Sequence, residues 1–200
     1  MSAAAASRGG QGWWWVRHAP THVRAAVGWT DAPADLSDAA ALDRLAAALP
    51  AAPVVSSDLA RAVATARRIA GARPLQAADA RLRELNFGAW EGMTYDAAAA
   101  AQPDAYRAFF ETPGPSRAPG GESFDDLRAR VCDAIEARKA DGGDVVLVAH
   151  AGAIRAALAV ALDLTPAQAL GFAVDPLSIT RLDWIASAGA WRVVCVNTRA

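Results

Sequence analysis

The run WWWVRHAPT, Trp13–Thr21, sets the terms for the rest of the chain. An apolar stretch ends abruptly in Arg17-His18, and Pro20 then prevents continuation as strand or helix. This predicts a buried strand, Trp13–Val16, that delivers a cation and a titratable nucleophile to its C-terminal tip. In open α/β sheets, ligands bind just beyond the carboxyl ends of the strands. Three consecutive tryptophans are unusual in a buried strand. Packing on both sheet faces and a stacking platform for a base or sugar are the two readings.

Strand and helix signals alternate downstream. A loop over 18–35 carries His22, Arg24 and Gly28, and loops of this length often carry function. Ser37 or Asp38 caps a helix that Pro50 ends, with Leu42, Leu45 and Leu49 at helical spacing. Val54–Ser56 reads as a short strand, followed by a helix capped by Ser57 or Asp58 and closed by Gly71. Leu75–Ala77 suggests a third strand. Leu82–Gly92 mixes apolar and turn residues with Glu84 and Glu91. Two short helices, 94–101 and 105–111, flank Pro103. Ser123 opens a longer helix that stops at Gly142-Gly143. Asp144–Ala149 is the clearest buried strand, and it ends in His150, with a helix running from Ala151 to Leu162. Ile179–Ile185 and Trp191–Asn197 form a closing hairpin. This order predicts a three-layer α/β/α sandwich with a mainly parallel central sheet.

Two hundred residues, 54% of them hydrophobic, suit one domain over 13–200. Residues 1–12 read as a flexible tail without the apolar core of a secretory signal. The formal net charge is −1, and Lys139 is the one lysine among 20 basic residues. No basic stripe points to nucleic acid, and no apolar run suits a bilayer. Cys132 and Cys195 are too few and too far apart for a metal site or a disulfide framework. The expectation is a cytoplasmic monomer or homodimer acting on a small molecule.

Arg17-His18, Arg61 and His150 come from three separate strand-to-helix junctions. Parallel neighbouring strands would bring two guanidiniums and two imidazoles to one rim, a nest suited to a phosphoryl dianion.

At these positions the chain resembles the histidine phosphatase superfamily, also called phosphoglycerate mutase-like. Its R-H-G-x-[TS] motif stands here as Arg17-His18-Ala19-Pro20-Thr21. Its S-x-L-x-R-A-x-x-T-A motif is Ser57 to Ala66, its L-x-E-x-x-x-G-x-x-E-G motif is Leu82 to Gly92, and Gly120–Ser123 gives G-G-E-S. The final strand ending in H-x-G is Val145–Gly152. The resemblance implies a phosphoglycerate mutase-like fold with His18 as the nucleophile that becomes phosphohistidine and Glu84 as proton donor to the leaving oxygen. Arg17, Arg61 and His150 form the phosphate-binding group, and Thr21, Arg24 and Ala151 are possible pocket residues. Glu91 reads as structural and Glu122 as helix-start support near the pocket. Ala19 replaces the usual glycine, and Arg24 stands where many relatives carry asparagine.

Nearby arginines favour a neutral, nucleophilic His18, and the arginines with a protonated His150 would hold the phosphoryl oxygens. No metal or other cofactor is implied, because the arginines take the place of magnesium. The implied activity is a phosphomonoesterase acting on a small phosphorylated metabolite, with α-ribazole phosphatases among relatives of similar length. The stretch 86–119 carries only Arg107 and Arg117 as cations and lacks the longer basic insertion of related mutases. A cofactor-dependent phosphoglycerate mutase, a non-catalytic phosphate-binding module, and a metal hydrolase using His18 and His22 are the alternatives.

Overall fold

The computed structural model describes residues 10–200. One five-stranded sheet, in the order β2-β3-β1-β4-β5, organises the molecule. Its strands are β1 (Gln11–Arg17), β2 (Val54–Ser56), β3 (Val145–Ala149), β4 (Ile179–Ile185) and β5 (Ala190–Thr198). β1 and β2 each pair parallel to β3, while β4 pairs antiparallel to both β1 and β5. Four of the five strands therefore run the same way. The register sets Arg17 beside Ala149, and Val16 and Ser56 beside Val148. The residues that follow all emerge at one rim.

The helices among the described residues are α1 (Ala39–Ala48), α2 (Ala60–Ala70), α3 (Tyr95–Ala101), α4 (Pro103–Glu111), α5 (Phe124–Lys139), α6 (Ala151–Leu162) and α7 (Pro166–Leu170). The alternation of strand side chains separates two cores. Trp13, Trp15 and Leu147 pack with α5 and α6. Val16, Val146 and Val148 pack with α1 and α2. These are the outer layers of the expected sandwich. The tryptophan run serves both faces: Trp13 and Trp15 are wholly buried on one, and Trp14 faces the other, under the Arg181 guanidinium at 4.5 Å.

Most helix ends follow local chemistry. Asp38 caps α1, and Ser123 with Asp126 forms a capping box at α5. α2 departs from expectation. Its N-cap is Leu59, without a side-chain cap of its own. Ser57 instead faces His150, and Asp58 pairs with Arg83. The Ala60 N–H is satisfied by Asp31 from the distant loop, at 2.7 Å. The expected strand over Leu75–Ala77 reduces to one bridge between Leu75 and Val54, too short to extend the sheet. Pro103 is the first residue of α4 rather than a spacer before it, a position where its missing N–H costs nothing. α7 is an addition to the expected elements, and its start is marked by a capping box of Thr165 and Gln168 with Pro166 as its first residue. Of the tail expected over 1–12, residues 1–9 lie outside the described residues, whereas Gln11 and Gly12 already pair with Trp184 and Asp183. Among the described residues, no helix is long and apolar enough to cross a membrane.

Removing a fully buried indole from between sheet and helices leaves a large cavity. Trp15→Ala is expected to cost about 3–5 kcal/mol in urea denaturation, and Trp14→Ala, at a half-buried site, clearly less. Equal losses would contradict the two-faced packing.

Candidate active site

β1 hands the chain to His18, whose N–H donates to the Ala149 carbonyl at 3.0 Å and so ties the tips of β1 and β3 together. The His18 side chain is buried. Its Nδ1 lies 2.6 Å from the Ala19 carbonyl, which can only accept, so Nδ1 carries the proton. That leaves the lone pair on Nε2, which accepts from Arg61 Nε–H at 3.3 Å. The ring of His150 stands 4.9 Å from that of His18, centroid to centroid. Its Nε2 is 2.6 Å from Ser57 Oγ. Its Nδ1 is buried without a hydrogen-bond partner among the described residues.

Arg61, in the first turn of α2, is 1% exposed although charged. Its fork donates to the carbonyls of Thr30 (2.9 Å) and Gly28 (2.6 Å). The same segment is gripped from the other side by Glu91. Its carboxylate accepts from the N–H groups of Gly28 (3.1 Å), Trp29 (2.8 Å) and Thr30 (3.0 Å), and from Phe87 N–H at 3.0 Å. Burial alone would raise the Glu91 pKa. The Thr30 hydroxyl and these amides outweigh it and hold the carboxyl below its usual range. Gly28 must be glycine here, because a Cβ would lie 2.0 Å from the Leu85 carbonyl. Behind His18, the Ala19 N–H donates to Thr65 Oγ1 at 3.0 Å, and Thr65 in turn donates to the Arg61 carbonyl at 2.7 Å. The extra methyl of Ala19 is fully buried, away from solvent.

Glu84 enters from the segment between α2 and α3. Its backbone carbonyl accepts from Arg130 (2.7 Å) and from the Trp29 indole (2.9 Å). Arg130 is itself held by Glu122 at 2.8 Å, so Glu122 supports the acid segment through that arginine. The Glu84 carboxylate accepts from Gly152 N–H at 3.2 Å. A Cβ on Gly152 would fall 2.1 Å from Glu84 Oε1. Glycine at this point is therefore the condition for the acid to reach the start of α6.

These groups meet in a cavity of about 660 Å³. Arg17, His18, Arg61, Glu84, Thr21 and Ala151 all line it. Arg17 donates from one terminal nitrogen to the Val174 carbonyl at 2.6 Å. His150 lies beside His18, wholly buried, outside the lining. Thr21, Val23, Ala25 and Val27 line the cavity, whereas Arg24, expected as a possible pocket residue, is exposed and outside that lining. His22 is also exposed, paired with Asp35 at 2.7 Å. Among the described residues, no group of three or more His, Cys, Asp or Glu is placed to hold a metal ion. Gly152, Thr65, Trp29, Arg130 and Arg155 join the site beyond the residues the sequence singles out. Gly152 and Thr65 stand inside motifs, whereas Trp29, Arg130 and Arg155 act through tertiary contacts with no local signature.

Burial dominates the electrostatics of both histidines. The His18 pKa is lowered to about 3, chiefly by burial, against the opposing Ala19 hydrogen bond, with Arg61 and Arg17 adding to the fall. Burial, more than the arginines, thus keeps the ring neutral. His150 is also pushed well below the ordinary histidine value, by burial first and then by His18, Arg61, Arg130 and Arg17.

A model of the histidine phosphatase superfamily (branch 1) matches residues 13–199. A metal-independent phosphoserine phosphatase from Arabidopsis thaliana is 38% identical over 125 residues, which cover 59% of this chain and 50% of that protein. The chain spans about half the length of several curated relatives it matches. The solved structure of Bacillus stearothermophilus YhfR superimposes with a TM-score of 0.84 at 26% identity, over 95% of this chain and 98% of the other. A mycobacterial glucosyl-3-phosphoglycerate phosphatase, solved with inorganic phosphate, gives 0.80 at 29% identity, over 94% and 98%.

Two expected outcomes test this geometry. Gly152→Ala should leave the urea midpoint nearly unchanged, since the clash is with a side-chain tip. Displacing the carboxylate should lower kcat by about 10²-fold, and a full-rate variant would remove Gly152 from its role. For pH, both histidines hold a proton less readily folded than unfolded. Below about 6.5 the unfolded chain gains protons that the folded chain refuses. Stability should therefore fall as pH drops from 6.5 toward 3, and His18→Asn should flatten the part of that fall above the carboxylate range. An unchanged slope in urea titrations would contradict the buried neutral ring.

Proposed function

The chain belongs to the histidine phosphatase superfamily, and from that premise we propose that it is a metal-independent phosphomonoesterase working through a phosphohistidine at His18. The observation that carries this reading is the state of the His18 ring. Nδ1–H is bound to a carbonyl and Nε2 offers its lone pair beside Arg61, in the cavity that also holds Glu84.

A phosphomonoester dianion replaces His18 as the acceptor of the Arg61 Nε–H, which uncovers the Nε2 lone pair. Nε2 then forms a bond to phosphorus as the ester P–O bond breaks. Positive charge develops on the imidazole, and the Ala19 carbonyl stabilises it through Nδ1–H. Arg17 and Arg61 hold charge on the equatorial phosphoryl oxygens. His150 Nδ1, otherwise unpartnered, serves a further phosphoryl oxygen, and the dianion favours protonation of this ring. Glu84 gives its proton to the leaving alkoxide. In the second half, water attacks phosphorus, Glu84 takes the proton of that water, and the P–N bond breaks to restore neutral His18 and free phosphate.

Hydrolysis is favoured over phosphoglycerate mutation by the placement of the two cations in 86–119. Arg107 pairs with Asp104 and Arg117 with Asp126, and neither lines the cavity. The complete set of His18, Glu84 and arginines likewise disfavours a purely binding role. The substrate is a small phosphorylated metabolite, with α-ribazole phosphate a first candidate to assay. The relatives named for phosphoserine and glucosyl-3-phosphoglycerate widen the panel. A cytoplasmic setting belongs to the same reading.

Glu84→Gln should reduce kcat for alkyl phosphates by about 10²–10⁴-fold and for p-nitrophenyl phosphate far less. Rapid quench should trap an acid-labile phosphoryl group in the parent and none in His18→Asn. Loss of activity in EDTA with recovery on a divalent ion would overturn the proposal.

A further inference from the structure

Above the anion nest the cavity changes character. α4 has no buried residue, yet Tyr106, Phe109 and Phe110 occupy i, i+3 and i+4 and all line the cavity. Phe110 packs against Tyr106 and Phe109 with ring centroids 4.8 and 5.2 Å apart, forming an aromatic shelf. Tyr95 from α3, Val23 from the long loop and Leu170 from α7 complete the rim. Of the eight large hydrophobic side chains that stand exposed among the described residues, four border this one opening: Val23 (45%), Tyr95 (53%), Phe110 (52%) and Leu170 (40%). Single exposed apolar residues are ordinary, but such a cluster around a cavity marks a binding surface.

Charge is sparse there. Apart from Arg17 and Arg61, the one cation lining the cavity is Arg155, whose Nε is committed to the Phe172 carbonyl at 2.8 Å. Lys139, the one lysine, lies over the Trp184 ring at 3.8 Å, and Trp184 is not among the lining residues. Around that single further guanidinium, the upper cavity offers a broad apolar area for a leaving group.

We propose that the site selects phosphomonoesters of large apolar or aromatic alcohols. The alcohol lies on the Phe109–Phe110 shelf between Val23 and Leu170. This rests on the phosphatase reading and names its substrate class. Burying a phenyl-sized group on the shelf removes apolar area from water and so raises kcat/KM.

The test compares alkyl esters of similar leaving ability: 2-phenylethyl phosphate, methyl phosphate, phosphoserine and 3-phosphoglycerate. The expected result is a kcat/KM for 2-phenylethyl phosphate at least about tenfold above each of the others. The ratio of 2-phenylethyl to methyl phosphate should fall about tenfold in Phe110→Ser and survive in Phe110→Trp. Equal values across the panel, a preference for phosphoserine or 3-phosphoglycerate, or an unchanged ratio in Phe110→Ser would overturn the substrate class while leaving the phosphatase intact. Absence of turnover on every ester and on p-nitrophenyl phosphate would instead overturn the phosphatase reading on which the class rests.

Discussion

A single buried guanidinium holds this site together. Arg61 occupies the first turn of α2 with almost no contact with solvent, and an unpaired charge there would be costly. The cost is offset by making the loop wrap around it. Carbonyls of Gly28 and Thr30 point at Arg61, while the amides of Gly28, Trp29 and Thr30 point the other way, at Glu91. A three-residue peptide is thus clamped between a cation and an anion, each satisfying the half of the backbone that suits its sign. The loop could not otherwise pass so close to the sheet rim without leaving polar groups unpaired. Removing either charge strands the other, so the shape of the pocket wall and the position of the nucleophile's neighbour are one problem with one solution.

The histidines illustrate how far burial governs the chemistry. A cation beside a ring disfavours its protonation, but the larger effect on both His18 and His150 is their removal from water. The positive charge of the nest therefore sits on Arg17 and Arg61, with the Glu84 carboxylate as a counter-charge to both. The Ala19 carbonyl fixes the His18 tautomer as a carboxylate would, without adding negative charge that would repel a phosphoryl group. Ser57 gives up the helix-capping role its type and position suggest in order to meet His150. Asp31 takes over the α2 N-terminus from 29 residues away.

That exchange also shows what a linear reading sees. Segments whose signal is local, such as the apolar run of β3 or the Ser123 cap of α5, are legible because propensity and packing agree there. The four motif positions at strand ends are also legible, since neighbouring parallel strands end at one rim. Which residues of the loop over 18–35 face the cavity is not: Arg24 stands exposed while Thr21, Val23, Ala25 and Val27 line it. Ser57 as helix cap and a strand over Leu75–Ala77 fail where tertiary partners override local preference. Thr65 stands inside a motif, but its tie to the Ala19 N–H is a tertiary contact. Arg130 and Trp29 act through backbone atoms far away in sequence, and nothing in their own neighbourhoods records that. The downward shift at His150 comes chiefly from depth, which no spacing encodes.

The α3–α4 pair rests on a small cluster of its own, Trp90, Ala98 and Ala118, with Tyr106 and Phe109 packed against it. Phe87 and Phe109 pack against both this cluster and the α5–α6 core, and so join the roof of the pocket to the main fold. The Trp90 indole pins the cluster by donating to Gln102 at 2.8 Å. The exposed rings of the roof, Tyr95 and Phe110, belong to neither core. A change of side chain at those two positions redraws the ceiling of the pocket while the sheet, the strand tips and the anion nest beneath keep their geometry.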